Sequence, residues 1–160
     1  MNTYTHHTTP AQFIEAAAIH FAYRRFGKKS GVPLVLNMHL KGTMGHCDFD
    51  ITDGLDPEHE AILFNKAGIS GTNGETPDSI YRMAHDEKVF VDTPGLKKID
   101  PLGFSMGALI VQSQQRCSVL HFTETVKRIV FFDFHKFIFE FTLPLLAKPD
   151  DLCTSKDYQK

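Results

Sequence analysis

The chain has 160 residues, 17 basic against 19 acidic side chains and a formal net charge of -2, with 42% hydrophobic and 22% charged residues. This length fits one ordinary globular domain. The near-neutral balance excludes a basic field for holding nucleic acid or an anionic membrane. Cys47, Cys117 and Cys153 form no CxxC pair and no metal spacing, so they read as reduced thiols in a cytoplasmic setting. The N-terminus has no basic region followed by an apolar core, the pattern of a signal peptide. The most apolar stretch, 128–147, is broken by Asp133, His135, Lys136 and Glu140 and is too interrupted to span a bilayer.

Residues 1–11 are polar and read as a flexible N-terminus, with His6-His7 a solvated tail. Two short apolar runs follow between positions 13 and 25, and Gly27 to Gly31 signals a turn. The continuous apolar run 33–38 is that of a buried parallel strand, and 60–64 is a second. Thr76-Pro77-Asp78 looks like a helix start, with Ile80, Met83, Ala84 and Phe90 or Val91 on one face and Gly95 at the end. Positions 99–105 read as a strand entering a tight turn, 106–115 as a helix, and 126–132 as another strand. Seven of the fourteen Phe lie from Phe122 to Phe141, and the alternation in 137–143 allows one more strand. Buried-strand runs alternating with helices predict a mainly parallel α/β sheet.

Gly103-Phe104-Ser105-Met106-Gly107 is a G-x-S-x-G sequence with a strand before it and a helix after it. A serine at such a sharp turn needs small neighbours two positions away on either side, and glycines there leave its hydroxyl exposed above the sheet. The first N–H groups of the helix then face any negative charge forming on an attacked carbonyl.

Together with Phe21-Ala-Tyr-Arg-Arg-Phe-Gly27, Pro33-Leu-Val, His39-Leu-Lys-Gly42-Thr-Met, Leu63-Phe-Asn-Lys-Ala-Gly68 and Gly74-Glu-Thr-Pro77, this motif resembles the α/β-hydrolase superfamily, in its small esterase and non-haem haloperoxidase-like branch. The likeness covers roughly residues 12–133 as an N-terminal half core and leaves 134–160 as a non-family tail. The resemblance implies that Ser105 is the nucleophile, and that the backbone N–H groups of Met106 and Leu40 are the oxyanion donors. It implies an ester, lactone, amide or related small carbonyl substrate, with no metal and no organic cofactor.

The family places its acid and its histidine on later strands, and only 55 residues follow Ser105. The usual acid and base are therefore expected to be missing, and the sheet incomplete at its C-terminal half through truncation, a frameshift or an unspliced intron. His39 and Asp133, brought toward Ser105 from either side, or His135, are the substitute base and acid candidates; His121 belongs at the opposite end of the sheet. Loss of the base would cost about a millionfold in turnover by analogy with a well-studied protease. Pro101 is out of place in a central strand, because it removes a ladder donor. The sixth strand would be an exposed edge, to be covered by the tail or by a second subunit in a homo-oligomer.

Other signals are weaker. Asp48-Phe-Asp50-Ile-Thr-Asp53-Gly54 resembles a calcium loop but departs from it at several positions and reads as a turn. His59-Glu60 lacks a second histidine, and the glycines at 68, 71 and 74 lack a phosphate-loop lysine. Three functions follow: an impaired serine hydrolase, a non-catalytic relative binding a small apolar ligand or partner, and a non-functional fragment.

Overall fold

The computed structural model describes residues 5–29, 31–55, 58–93, 95–96, 98–116, 129–132 and 138–141. Strands β1 (Gln12–Ala16), β2 (Ile19–Gly27) and β3 (Leu34–Asn37) lead to helix α1 (Phe49–Leu55). Then come β4 (Glu60–Phe64), α2 (Ile80–Asp92), β5 (Asp100–Gly103), α3 (Met106–Arg116), β6 (Ile129–Phe132) and β7 (Ile138–Phe141). The main sheet has the order β1-β2-β4-β3-β5. β1–β2 and β2–β4 are antiparallel, while β3 runs parallel to both β4 and β5.

Strand alternation divides the core in two. Val35, Ile62, Phe64 and Ile99 pack with Phe21 against Phe90 and Val91 of α2, where the Phe64 and Phe90 rings stack at 4.7 Å. α3 joins this layer through Ile110, against Met83 and Ala84. Leu36, Met38, Ala61 and Leu63 point to the other face, with Cys47, Met44 and Phe104.

Several local differences from the sequence reading have clear causes. α2 starts at Ile80 rather than at Pro77, because Ser79 is its N-cap, with extended backbone and a side-chain oxygen accepting from Arg82 N–H at 3.3 Å. The calcium-like segment forms the short helix α1, opened by Asp48 Oδ1 accepting from Asp50 N–H.

Residues 5–9 are anchored rather than loose: His6 is fully buried, its rings of contact being Phe26 and Phe49. Its two imidazole nitrogens meet Thr52 Oγ1 at 2.9 Å and the Met44 carbonyl at 2.7 Å. Burial lowers the His6 pKa. His7 stays exposed.

Pro101 sits in β5 opposite Val35. Asp100 N–H and Phe104 N–H donate to the carbonyls of Pro33 and Asn37, so alternation turns the Pro101 nitrogen to the other side of the strand. On that side β6 lies near but is paired antiparallel with β7 in a separate two-stranded sheet. No main-sheet ladder therefore asks Pro101 for a donor among the described residues. The expectation of β6 as the next strand of the main sheet is corrected accordingly, while the strand expected in the Phe-rich segment is present as β7.

Candidate active site

Ser105 is the second residue of the two-residue turn between β5 and α3 and lies in the left-handed backbone region, φ +55°. A non-glycine residue there is strained by its own Cβ. The surrounding turn is set by close approach. A Cβ on Gly103 would stand 2.5 Å from the Ala108 backbone, and one on Gly107 would stand 2.1 Å from the Asn37 carbonyl oxygen. The two glycines thus let α3 start directly against the end of β3, fastened by Phe104 N–H donating to Asn37 C=O at 2.8 Å.

Around this elbow lies the loop that follows β3. His39 C=O accepts from Gly42 N–H at 3.0 Å, and Leu40 projects outward, 52% exposed. Among the described residues no hydrogen bond takes up the N–H of Leu40 or of Met106. The His39 ring lies 6.0 Å from His46 and 5.8 Å, edge-on, from Phe104. Its pKa is lowered by partial burial and by the charges of Lys66 and His46, which favours the neutral, proton-accepting imidazole. Among the described residues no hydrogen bond joins the Ser105 hydroxyl to His39 or to any carboxylate. Asp133, His135 and His121 lie outside the described residues.

Two buried ionisable groups beneath the elbow are absent from the residues singled out in the sequence. Lys66, 7% exposed, follows β4 and donates from Nζ to the carbonyls of Met38 and His39, both at 2.8 Å. Burial lowers its pKa to about 8, against the opposing field of Glu87.

Glu87, 1% exposed, lies on the core face of α2 and accepts from Asn37 Nδ2 at 2.7 Å. Burial pushes its pKa up to about 7, although Asn37, the nearby Gln114 and Lys66 all favour the charged form. Among the described residues Glu87 Oε2, Asn37 Oδ1 and both amide atoms of Gln114 have no hydrogen-bond partner of good geometry. Three of these four atoms are acceptors and only the Gln114 amide nitrogen is a donor, so a protonated Glu87 would supply a second donor to the cluster. Glu87 could have been found in the sequence, since it falls three and four residues after Ala84 and Met83 on the apolar stripe. Nothing comparable marks Lys66.

On the opposite face, a cavity of about 320 Å³ lies under Phe104 and Gly103. Leu36, Met38, Cys47 and Ile51 supply its apolar wall, with His46 and Asp48 at its polar edge. Burial raises the Cys47 thiol pKa to about 11, so the thiol stays protonated there. Among the described residues no group of three or more metal-ligating side chains occurs, and no helix is long and apolar enough to cross a membrane.

No protein-family model and no curated protein matches the chain. Among solved structures it is similar to an alpha/beta hydrolase fold protein from Chitinophaga pinensis, at 37% identity and a TM-score of 0.68 over 69% of this chain. It is also similar to a hydrolase from Pseudomonas aeruginosa PA01 (18% identity, TM-score 0.63, 70% of this chain). A third is the enol-lactonase from Burkholderia xenovorans LB400 (18%, 0.59, 66%). The chain spans 40%, 43% and 41% of the lengths of these three proteins.

Proposed function

The chain has the α/β-hydrolase fold, and from that premise we propose that it carries the nucleophile half of a serine hydrolase site acting on an ester, lactone or related small carbonyl compound. Ser105 attacks the carbonyl carbon, and the Leu40 and Met106 N–H groups receive the charge that develops on its oxygen. Collapse of the tetrahedral intermediate breaks the ester C–O bond and expels the alcohol, which takes up the serine proton; water then attacks the acyl-enzyme, releasing the acid and restoring the Ser105 hydroxyl. The observation that carries this reading is the strained Ser105 backbone, φ +55°, between a strand end and a helix start. Glycines 103 and 107 are forced there by contact with neighbouring backbone. Such strain persists where the surrounding structure over-determines it, and it clusters at functional sites.

A serine of this kind needs a base. His39, on the loop after β3, has a lowered pKa that favours the neutral imidazole, but among the described residues it makes no hydrogen bond to Ser105. Turnover by this chain is accordingly slow unless a base from outside the described residues completes the site.

The test is fluorophosphonate labelling of the purified 160-residue chain, with the adduct located by mass spectrometry and Ser105→Ala as control. Labelling confined to Ser105 supports the reading. A folded chain that takes no label refutes it.

The 320 Å³ cavity supports a second reading, a relative that binds a small apolar ligand without turning it over. A ligand-dependent rise in Tm in a chain that Ser105 labelling leaves untouched would favour it.

A further inference from the structure

Lys66 is an expensive residue to keep where it is. A buried ammonium is stable only where hydrogen bonds replace its water, and here both bonds go to consecutive carbonyls, Met38 and His39. Those peptides directly precede Leu40. A trans peptide is planar, with C=O and the following N–H pointing in opposite directions. The His39 carbonyl, held inward by Nζ and also reached by Gly42 N–H at 3.0 Å, therefore turns the Leu40 N–H outward, where it is left without a partner among the described residues.

The neighbouring residue completes the grip. Asn65 Oδ1 accepts from Met44 N–H at 2.7 Å, so the end of β4 holds the loop at 38–39 and again at 44. The parallel register of β3 with β4 makes this possible by bringing the residues after both strands to the same edge of the sheet.

We propose that Lys66 is a positioning residue, which aims the Leu40 N–H at the oxygen of a carbonyl attacked by Ser105 by holding the Met38 and His39 carbonyls from below. The assignment rests on reading Leu40 as an oxyanion donor. Glu87 on α2, and His39 and His46 on the loop, are the titratable groups that share its surroundings. Lys66 does not touch the substrate; it acts through the direction of one peptide.

The experiment compares the full chain with Lys66→Met, which keeps the length and loses the donors. Backbone ¹⁵N relaxation is read at Leu40 and, as reference, at Leu63 in β4. In the wild type the Leu40 order parameter is near the rigid value of about 0.85; in Lys66→Met it falls below about 0.6, while Leu63 is unchanged. Fluorophosphonate labelling of Ser105 slows about tenfold or more in its maximal rate, with reagent affinity little altered, as expected when a donor loses its aim. A merely structural lysine would loosen Leu63 together with Leu40, and that result overturns the proposal, as does an unchanged Leu40.

Should Lys66→Met not fold, the unmutated chain decides. The carbonyl ¹³C shifts of Met38 and His39 then titrate together with Lys66 near pH 8, well separated from the lowered His39 pKa; shifts that ignore this titration overturn the proposal. If the wild type takes no label, the hydrolase reading fails separately, and the Leu40 dynamics still decide whether Lys66 holds that peptide.

Discussion

Replacing Gly107 by alanine sets two effects of opposite sign against each other. Gly107 is the second residue of α3, and helix propensity alone would reward the change by up to about 1 kcal/mol. The added Cβ, however, would stand 2.1 Å from the Asn37 carbonyl oxygen, 2.6 Å from its carbon and 2.9 Å from the Asn37 Cβ. That is more than an ångström inside ordinary contact, and the obstacle cannot rotate away. The Asn37 carbonyl is held by Phe104 N–H at 2.8 Å, and the Asn37 side chain by Glu87 at 2.7 Å. Overpacking costs about 1–3 kcal/mol, occasionally more. A backbone obstacle places this case at the upper end, for a net loss of about 2 kcal/mol. In a chain of this size that is a fall in Tm of roughly 4–8 °C. Gly54→Ala is the control, since Gly54 lies within α1 and a Cβ there meets nothing within 4 Å. It should gain about 0.5–1 kcal/mol. Thermal and urea unfolding of the two variants side by side is the assay. If Gly107→Ala is as stable as Gly54→Ala, the tight seating of α3 on the end of β3 is refuted.

Ser105→Gly should raise stability by about 1 kcal/mol, because glycine accepts φ +55° without strain, while abolishing fluorophosphonate labelling; a loss of stability in urea titration would show that the position is unstrained. Glu87 has a folded pKa raised from 4.5 to about 7, so the unfolded chain releases its proton first and stability falls as pH rises from about 4.5 to 7. Lys66, lowered from 10.5 to about 8, makes stability recover between about pH 8 and 10.5, leaving a minimum near pH 7–8. Glu87→Gln removes the first slope, an effect of no more than about 3 kcal/mol, and a variant whose stability still falls over pH 4.5–7 would assign that slope to other groups. Glu60, nearly buried, accepts a two-pronged contact from Arg25 at 2.7 and 2.9 Å; Glu60→Gln should cost about 1–2 kcal/mol in urea unfolding, and a neutral result would mean that the pair is no better than its hydration.

Much of this molecule is legible along the sequence because it is written in neighbouring residues. The apolar runs at 33–38 and 60–64 could be read as buried strands and appear as β3 and β4. The spacing of Gly103, Ser105 and Gly107 could be read as a strand-to-helix turn, because a close approach two residues either side of a bend demands glycine whatever the rest of the chain does. β7 was likewise foreshadowed by its alternation. Where the reading missed, the deciding partner was distant in the chain. His6 looks like part of a polar tail until Thr52 and Met44 close around its ring. Pro101 looks misplaced until the register shows which side of β5 carries the ladder.

What the sequence determined by itself, then, was β3 to β7, α2, α3 and the elbow that displays Ser105, since these follow from local sterics and hydrophobic period, whereas α1 was read as a turn. Only the tertiary structure decided what lies beneath that elbow. Lys66 reaches its carbonyls across 28 and 27 positions, and Asn37 reaches Glu87 across 50. These pairs exist because parallel strands align their ends at one edge of the sheet while helices carry the chain back between them. Lys66, outside any helix, leaves no periodic mark; its place is set by the few carbonyls that the assembled fold leaves in need of a partner.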